Sequence, residues 1–148
     1  MDYQYVNIEK EKLFKIGIDK DNVPGFLIVN DSVNYFKYKN IFPWNLSIKL
    51  NFIKTGDDLL PTEDEMYEIN QYRFYLEKIF NNEEKPNTLF VAIVCVNNEC
   101  DLIWRVHNPE RLDQIMKIEI NIKPCKFEFG YRMIDDIHWF EVEDIIDL

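Results

Sequence analysis

The residue pattern predicts an α+β domain of the ferredoxin-like type: a β-α-β-β-α-β antiparallel sheet with its helices on one face, preceded by an N-terminal strand extension. Two segments carry apolar residues at helical spacing, and the stretches around them alternate or run continuously apolar as strands do. Their order along the chain is strand, helix, strand, strand, helix, strand. The chain's 148 residues, 47% hydrophobic and 30% charged, suit one domain over 1–148, with 1–24 as an extension of a core that begins at 26. A chain of this length buries roughly two-thirds of its unfolded surface, so it needs neither disulfide nor metal to fold.

Residues 1–24 interleave charge at Glu9, Lys10, Glu11 and Lys12 and receive no element, and Pro24-Gly25 punctuates their end. Phe26-Leu27-Ile28-Val29 reads as a short strand able to join the sheet, stopped by the turn formers Asn30-Asp31-Ser32. After Pro43, Leu46, Ile48, Leu50 and Phe52 alternate with Asn45, Ser47, Lys49 and Asn51, a strand with one buried and one wet face. Thr62-Glu63-Asp64-Glu65 is a capping box in which Thr62 and Glu65 satisfy each other's backbone amides. The helix it opens gathers Met66, Ile69, Tyr72, Leu76, Ile79 and Phe80 within about 140° of arc, a core-facing stripe. Acids in its first turn and Lys78 in its last suit the helix dipole.

Residues 81–87 form a polar loop, and 89–96 are an unbroken apolar run befitting a central strand. Asn97-Asn98 suits a tight hairpin turn, because Asn tolerates positive φ, and Leu102, Trp104 and Val106 alternate on the returning strand. Asn108-Pro109 is an N-cap and N1 pair that opens a second helix with Leu112, Ile115, Ile118 and Ile122 on one face. Phe127, Phe129 and Tyr131 alternate as a last strand, and 139–146 reads as a short acidic helix.

Seventeen Lys and Arg against 27 Asp and Glu give a net charge of -10 and a pI near 4.7, which repels phosphate backbones and argues against nucleic acid as a partner. The acids cluster at Asp57, Asp58, Glu63, Asp64, Glu65 and Glu68, and again at Asp135, Asp136, Glu141, Glu143, Asp144 and Asp147, each group without Lys or Arg. Their plain reading is solvated surface that keeps the chain soluble, and a charged partner, if there is one, would be basic. No apolar run approaches the roughly 18 residues of a membrane span, and the first residues carry no basic or apolar leader pattern. With three cysteines and no Cys-x-x-Cys, the expectation is a cytoplasmic protein without membrane contact.

The sequence resembles a bacterial family catalogued as domain of unknown function 695. The likeness lies in Leu60-Pro61-Thr62-x-x-Glu65, in Trp104-Arg105-Val106-x-Asn108-Pro109-Glu110, and in Phe127-x-Phe129-x-Tyr131 followed by Asp136-x-x-Trp139, over residues 26–148. Two glycines of that pattern are absent, with Leu59 before Leu60-Pro61 and Asn97-Asn98-Glu99 at the central turn. The resemblance implies a ferredoxin-like fold with no established activity. At the level of fold the chain is also similar to protein regulators of ribonuclease E, small acidic domains that act by binding an enzyme.

Chemistry is thinly signalled. Cys95 and Cys100 bracket the hairpin turn and would face each other about 5 Å apart at Cβ, so a reversible disulfide is conceivable, but the expected state is two buried thiols. Asp135, Asp136 and His138 lack recognisable metal-ligand spacing, so neither metal nor cofactor is expected. Three cysteines and two histidines come without a nucleophile elbow or a phosphate-cradling glycine loop, which argues against an enzyme.

Arg105 stands out as a lone cation on a half-buried strand. Its expected role is a structural pair with a carboxylate such as Glu65 or Asp136; the alternative is a ligand clamp together with His107 and Trp139. The functional expectation is therefore a noncatalytic protein-binding or regulatory module, in its specific form an inhibitor or immunity protein of a basic enzyme. It would bind through Asp57, Asp58, Glu63, Asp64, Glu68, Asp135, Asp136, Glu141 and Glu143. The alternative is a small-molecule site or hydrolase on the open face of the sheet, lined by Arg105, His107 and aromatic residues.

Overall fold

The computed structural model describes residues 11–17, 24–37, 39–51, 60–82, 85–122 and 128–146. Its strands are β1 (Glu11–Gly17), β2 (Pro24–Asn30), β3 (Trp44–Asn51), β4 (Thr88–Val96), β5 (Glu99–Val106) and β6 (Glu128–Asp135); its α-helices are α1 (Glu63–Phe80), α2 (Pro109–Glu119) and α3 (Glu143–Ile146). Phe52, Asp57, Asp58, Cys125 and Phe127 lie outside the described residues. The strands make one open antiparallel sheet in the order β1-β2-β4-β5-β3-β6. The fold is α+β, but the sheet is not the four-stranded ferredoxin-like sheet that the element order predicts. The difference has a cause in the sequence. Leu27 and Val29 are apolar enough to be buried, and β2 gains that burial by pairing with β4, Gly25 opposite Val96 through Val29 opposite Ala92. Residues 11–17, given no element from sequence, extend the sheet once more beyond β2.

Period-two alternation divides the core in two. On one face Leu46, Ile48 and Leu50 of β3, with Leu102, Trp104 and Val106 of β5, pack under Ile69, Leu76 and Phe80 of α1 and Leu112 and Met116 of α2. On the other, Leu27, Val29, Val91, Ala92 and Ile103 are covered by Val33, Phe36 and Phe42 from the segment before β3 and by Trp139, Val142 and Ile146 from the chain after β6. The sequence pattern foresees the first core and misses most of the second, because short 3-10 turns (Asp31–Tyr35, Lys39–Ile41, Phe140–Val142) have no long apolar period to read.

Both long helices begin as their caps dictate. Thr62 and Glu65 complete the capping box, and the Asn108 side chain accepts from the Arg111 amide with Pro109 at the first helical position. The apolar stripes need two corrections. Arg73, one turn from Ile69 and Leu76, is 1% exposed and lies between the Phe74 and Phe90 rings, its guanidinium carbon 4.4 and 4.3 Å from their centroids. The α2 face that goes inward runs through Leu112, Met116 and Glu119, while Ile118 and Ile122 are exposed. Glu119 is turned in because the Tyr75 hydroxyl donates to it from α1 (3.0 Å). Asn81, at the end of α1, accepts from the amides of Asn87 and Thr88, and Asn87 bonds Asn108 in both directions, joining the end of one helix to the start of the next.

The central hairpin is closed covalently. Asn97 and Asn98 hold φ of 51° and 67°, the two positive angles that a two-residue turn matching strand twist requires. Val96 then faces Glu99, Cys95 faces Cys100, and a disulfide joins that pair across 4.2 Å of Cα separation. The expectation of two buried thiols is thus overturned: the turn imposes a register that makes the two side chains immediate neighbours. Because disulfides persist mainly in oxidising surroundings, the cysteine count no longer speaks for a reducing compartment. Loop-closure entropy for so short a loop amounts to about 2 kcal/mol.

Two predictions follow from these linkages. Of the three cysteines, one thiol should react with an alkylating agent in unfolded, unreduced protein and three after reduction, and Cys95→Ala/Cys100→Ala should lower urea stability by about 2 kcal/mol. The Tyr131 hydroxyl donates to Asp113 (2.5 Å), tying β6 to α2, and this acceptor raises the phenol's pKa to about 12. Between about 10, where an unfolded tyrosine ionises, and about 12, the folded chain holds one more proton than the unfolded one. Stability should therefore fall with rising pH across that window, and Tyr131→Phe should flatten that part of the denaturation profile.

Candidate functional site

Along β5, alternation sends Leu102, Trp104 and Val106 toward the helices and Ile103 and Arg105 toward the other face. Arg105 thereby enters the second core with no exposed area. Burial pushes its pKa down, but a guanidinium starts so high that it stays charged, and a buried charge must be paired and hydrogen-bonded. Nη1 lies 2.8 Å from Asp136 Oδ2 and 3.4 Å from Asn45 Oδ1. Nη2 donates to the Asp136 carbonyl (2.5 Å) and Nε to the Phe42 carbonyl (3.2 Å). The indole of Trp139 covers it, with the guanidinium carbon 4.6 Å from the ring centroid.

Asp136 is shaped for this task by the chain that follows it. Its Oδ1 accepts from the Phe140 amide and its Oδ2 from the Glu141 amide, so it caps the 3-10 turn while pairing with Arg105. Burial alone would raise its pKa; the Glu141 amide, Arg105 and the Phe140 amide outweigh that and hold it below the usual carboxylate range. Trp139 sits at φ 61°, ψ 30°, left-handed backbone that a bulky residue rarely adopts. The strain is offset by burial of the indole, whose N–H donates to the carbonyls of both Lys39 and Phe42 at 3.0 Å.

This reversal at Trp139 fixes what points outward. Ile137 is 57% and Phe140 69% exposed, and His138 stacks against Phe140 with centroids 5.4 Å apart. Around them Asp135, Glu141, Glu143 and Asp144 are exposed. A second surface of the same character occupies the outer side of α1: Glu63 and Asp64 are exposed in its first turn, with Tyr67 67% exposed one turn on, Glu68 half-buried beside it, and Phe74 47% exposed two turns after Tyr67.

Of the residues singled out from sequence, Arg105, Asp136 and Trp139 come together in the buried clamp. Asp136 is consequently removed from the acidic surface on which the sequence places it, and Arg105 and Trp139 are buried. His107 is exposed at the end of β5; its Nδ1 is 2.7 Å from the Ile41 carbonyl, which can only accept, so that nitrogen carries the proton. The open sheet face on which a small-molecule site was expected is packed over β2, β4 and β5 by the segments carrying Phe42 and Trp139. Among the described residues no group of three or more His, Cys, Asp or Glu is placed to hold a metal ion, and no helix is long and apolar enough to cross a membrane. Sequence reasoning did not single out Tyr67, Phe74 and Phe140. Tyr67 and Phe74 were legible as aromatics off the apolar stripe of α1; Phe140 was not, since its direction depends on the positive φ at Trp139.

No family model, no curated protein and no solved structure matches this chain.

The clamp makes one quantitative prediction. Asp136→Asn leaves a buried guanidinium without its counter-charge and should cost about 3–5 kcal/mol in urea unfolding at neutral pH. Because the folded-state pKa of Asp136 is depressed, its contribution is present above the unfolded value, about 3.9, and is lost as pH falls through the folded value. The variant's stability should therefore decline less steeply with acid than that of the unaltered chain.

Proposed function

We propose that this chain is a noncatalytic protein-binding or regulatory module whose partner presents a basic surface, the specific form being an inhibitor or immunity protein of a basic enzyme. The observation that carries this reading is the outer side of α1, where exposed Glu63 and Asp64 adjoin exposed Tyr67, with exposed Phe74 farther along the same helix. Interface cores are rich in aromatic residues and their rims are polar, and carboxylates steer a cationic partner toward the contact. The net charge of -10 extends the same attraction over the whole molecule. The buried engagement of Arg105 supports a scaffolding role for the cation that the sequence also offers as a ligand clamp.

We read β3, α1, β4, β5, α2 and β6 as a ferredoxin-like unit to which β1 and β2 have been added. The support is the pairing order β4-β5-β3-β6 within the larger sheet and the packing of α1 and α2 against one face.

The test is affinity capture by the immobilised chain, followed by titration of the purified partner. The expected partner is basic, its affinity falls with added salt, and Glu63→Gln/Asp64→Asn/Tyr67→Ala weakens it by roughly tenfold or more while leaving the melting temperature nearly unchanged. Affinity that is the same at low and high salt, or indifferent to those three substitutions, would contradict the proposal.

A further inference from the structure

β6 is an edge strand: it pairs with β3 from Glu128 opposite Asn51 to Asp135 opposite Trp44, and among the described residues nothing pairs with its other side. An open edge offers a row of backbone donors and acceptors to any extended chain, and proteins commonly blunt it with a bulge, a proline or charges. The register with β3 is unbroken over all eight residues, so there is no bulge, and β6 contains no proline. What it does contain is charge, disposed in a particular way. Around Gly130 the sequence reads Phe127-Glu128-Phe129-Gly130-Tyr131-Arg132-Met133, apolar or aromatic at odd positions on both sides and opposite in sign at the two flanking even positions.

Gly130 itself is unexplained within one chain. Its φ is not positive, and a Cβ added there would meet nothing within 4 Å. A glycine inside a regular strand marks a bulge, a bend or a place where another backbone comes close, and the unbroken pairing with β3 removes the first of these.

We infer that β6 pairs antiparallel with β6 of a second copy of this chain, centred on Gly130 opposite Gly130. Antiparallel pairing about that centre sets position 128 opposite Arg132 of the second copy, and Arg132 opposite its position 128, so that a glutamate and an arginine meet at both. On the helix-bearing face it sets Phe129 opposite Tyr131 twice. Opposite charges and aromatic pairs facing each other across strands are the combinations that stabilise a sheet. Within one chain, Phe129 already lies 6.0 Å from the Tyr72 ring and Tyr131 bonds Asp113, so the aromatic side chains are held where the second strand would meet them. Arg132 is exposed and so available for the pair. The same charges disfavour other registers of the self-pairing, since a shift by two residues sets Arg132 against Lys126 or Glu128 against Ile134. The pairing is isologous, closing on a two-fold axis into a continuous sheet of twelve strands rather than a filament. It is independent of the acidic surface on α1.

The experiment is sedimentation velocity on the purified chain over a range of concentrations, with the charge exchanged across the inferred pair. The unaltered chain should show a concentration-dependent dimer. Arg132→Glu and Glu128→Arg should each weaken it by roughly tenfold or more by placing like charges opposite each other, and the double exchange R132E/E128R should restore it. Melting curves establish that each variant is folded. Hydrogen exchange on the unaltered chain supplies a readout without substitution, since amides of 128–135 that point away from β3 should gain protection as concentration rises. A monomer at every concentration, a dimer unaffected by the single reversals, or exchange at β6 that ignores concentration would each overturn the inference.

Discussion

A guanidinium with no exposed area organises one whole side of this protein. Arg105 is carried into the second core by strand alternation, and once there its donors must be met without water. The acceptors come from two places far apart in sequence: the Phe42 carbonyl and Asn45 side chain around the start of β3, and the carboxylate and carbonyl of Asp136 after β6. Satisfying one cation therefore fixes where the chain enters β3, where it leaves β6, and how the last turn folds back. Apolar contacts could bury Trp139 in several orientations; this hydrogen-bond set selects the one in which the indole lies over Arg105 and donates to Lys39 and Phe42.

The two sides of the sheet are built on different principles. Under α1 and α2 the core is a broad apolar layer in which Trp104 meets Phe80 and Phe90 edge-on, and polar groups reach into it: Arg73 lies over the Phe90 ring, Glu77 accepts from the Trp104 indole, and Tyr75 and Tyr131 tether the helices to each other and to β6. The other side has a smaller apolar patch closed by irregular segments, and there direction comes from hydrogen bonds rather than from helix packing. Among the buried charges, Arg105 and Asp136 belong to this second side and Arg73 and Glu119 to the first. The exposed carboxylates of α1 and of the final turn sit on backbone that is held by a capping box in one case and by Asp136 in the other, so both aromatic and acidic surfaces stand on rigid supports.

What could be read in the sequence follows from how local the determining interactions are. Strict alternation placed β3 and β5, the capping box and Asn108-Pro109 placed both helix starts, and Asn97-Asn98 placed the hairpin, because each is decided within a few residues. The exchange of Ile118 for Glu119 on the buried face of α2 was not legible, since it depends on a hydroxyl from α1, 44 positions away. Arg73 escaped notice for a similar reason: the Phe90 ring over its guanidinium belongs to another element, although Glu77, 4.0 Å from its Nε, lies one turn on in the same helix. At the clamp, Arg105, Asp136 and Trp139 were all conspicuous as residues. Their grouping was half legible, in that a buried cation needs a carboxylate; that the chosen one would be Asp136 rather than Glu65 is decided by topology, since Asp136 follows β6 beside β3 while Glu65 belongs to the opposite face.

The indole of Trp139 reaches back 97 and 100 positions to Phe42 and Lys39. Chains are made from their N-terminal end, so β2 to β5 can pair during translation while Arg105 still lacks its acceptors at Asp136. Closure of that side is thus a late event that joins early residues to nearly the last ones described, and contacts of such long span form slowly. Until the final turn docks, a charged group and the apolar patch around Ile103 stay wet, a state that chaperones and proteases recognise.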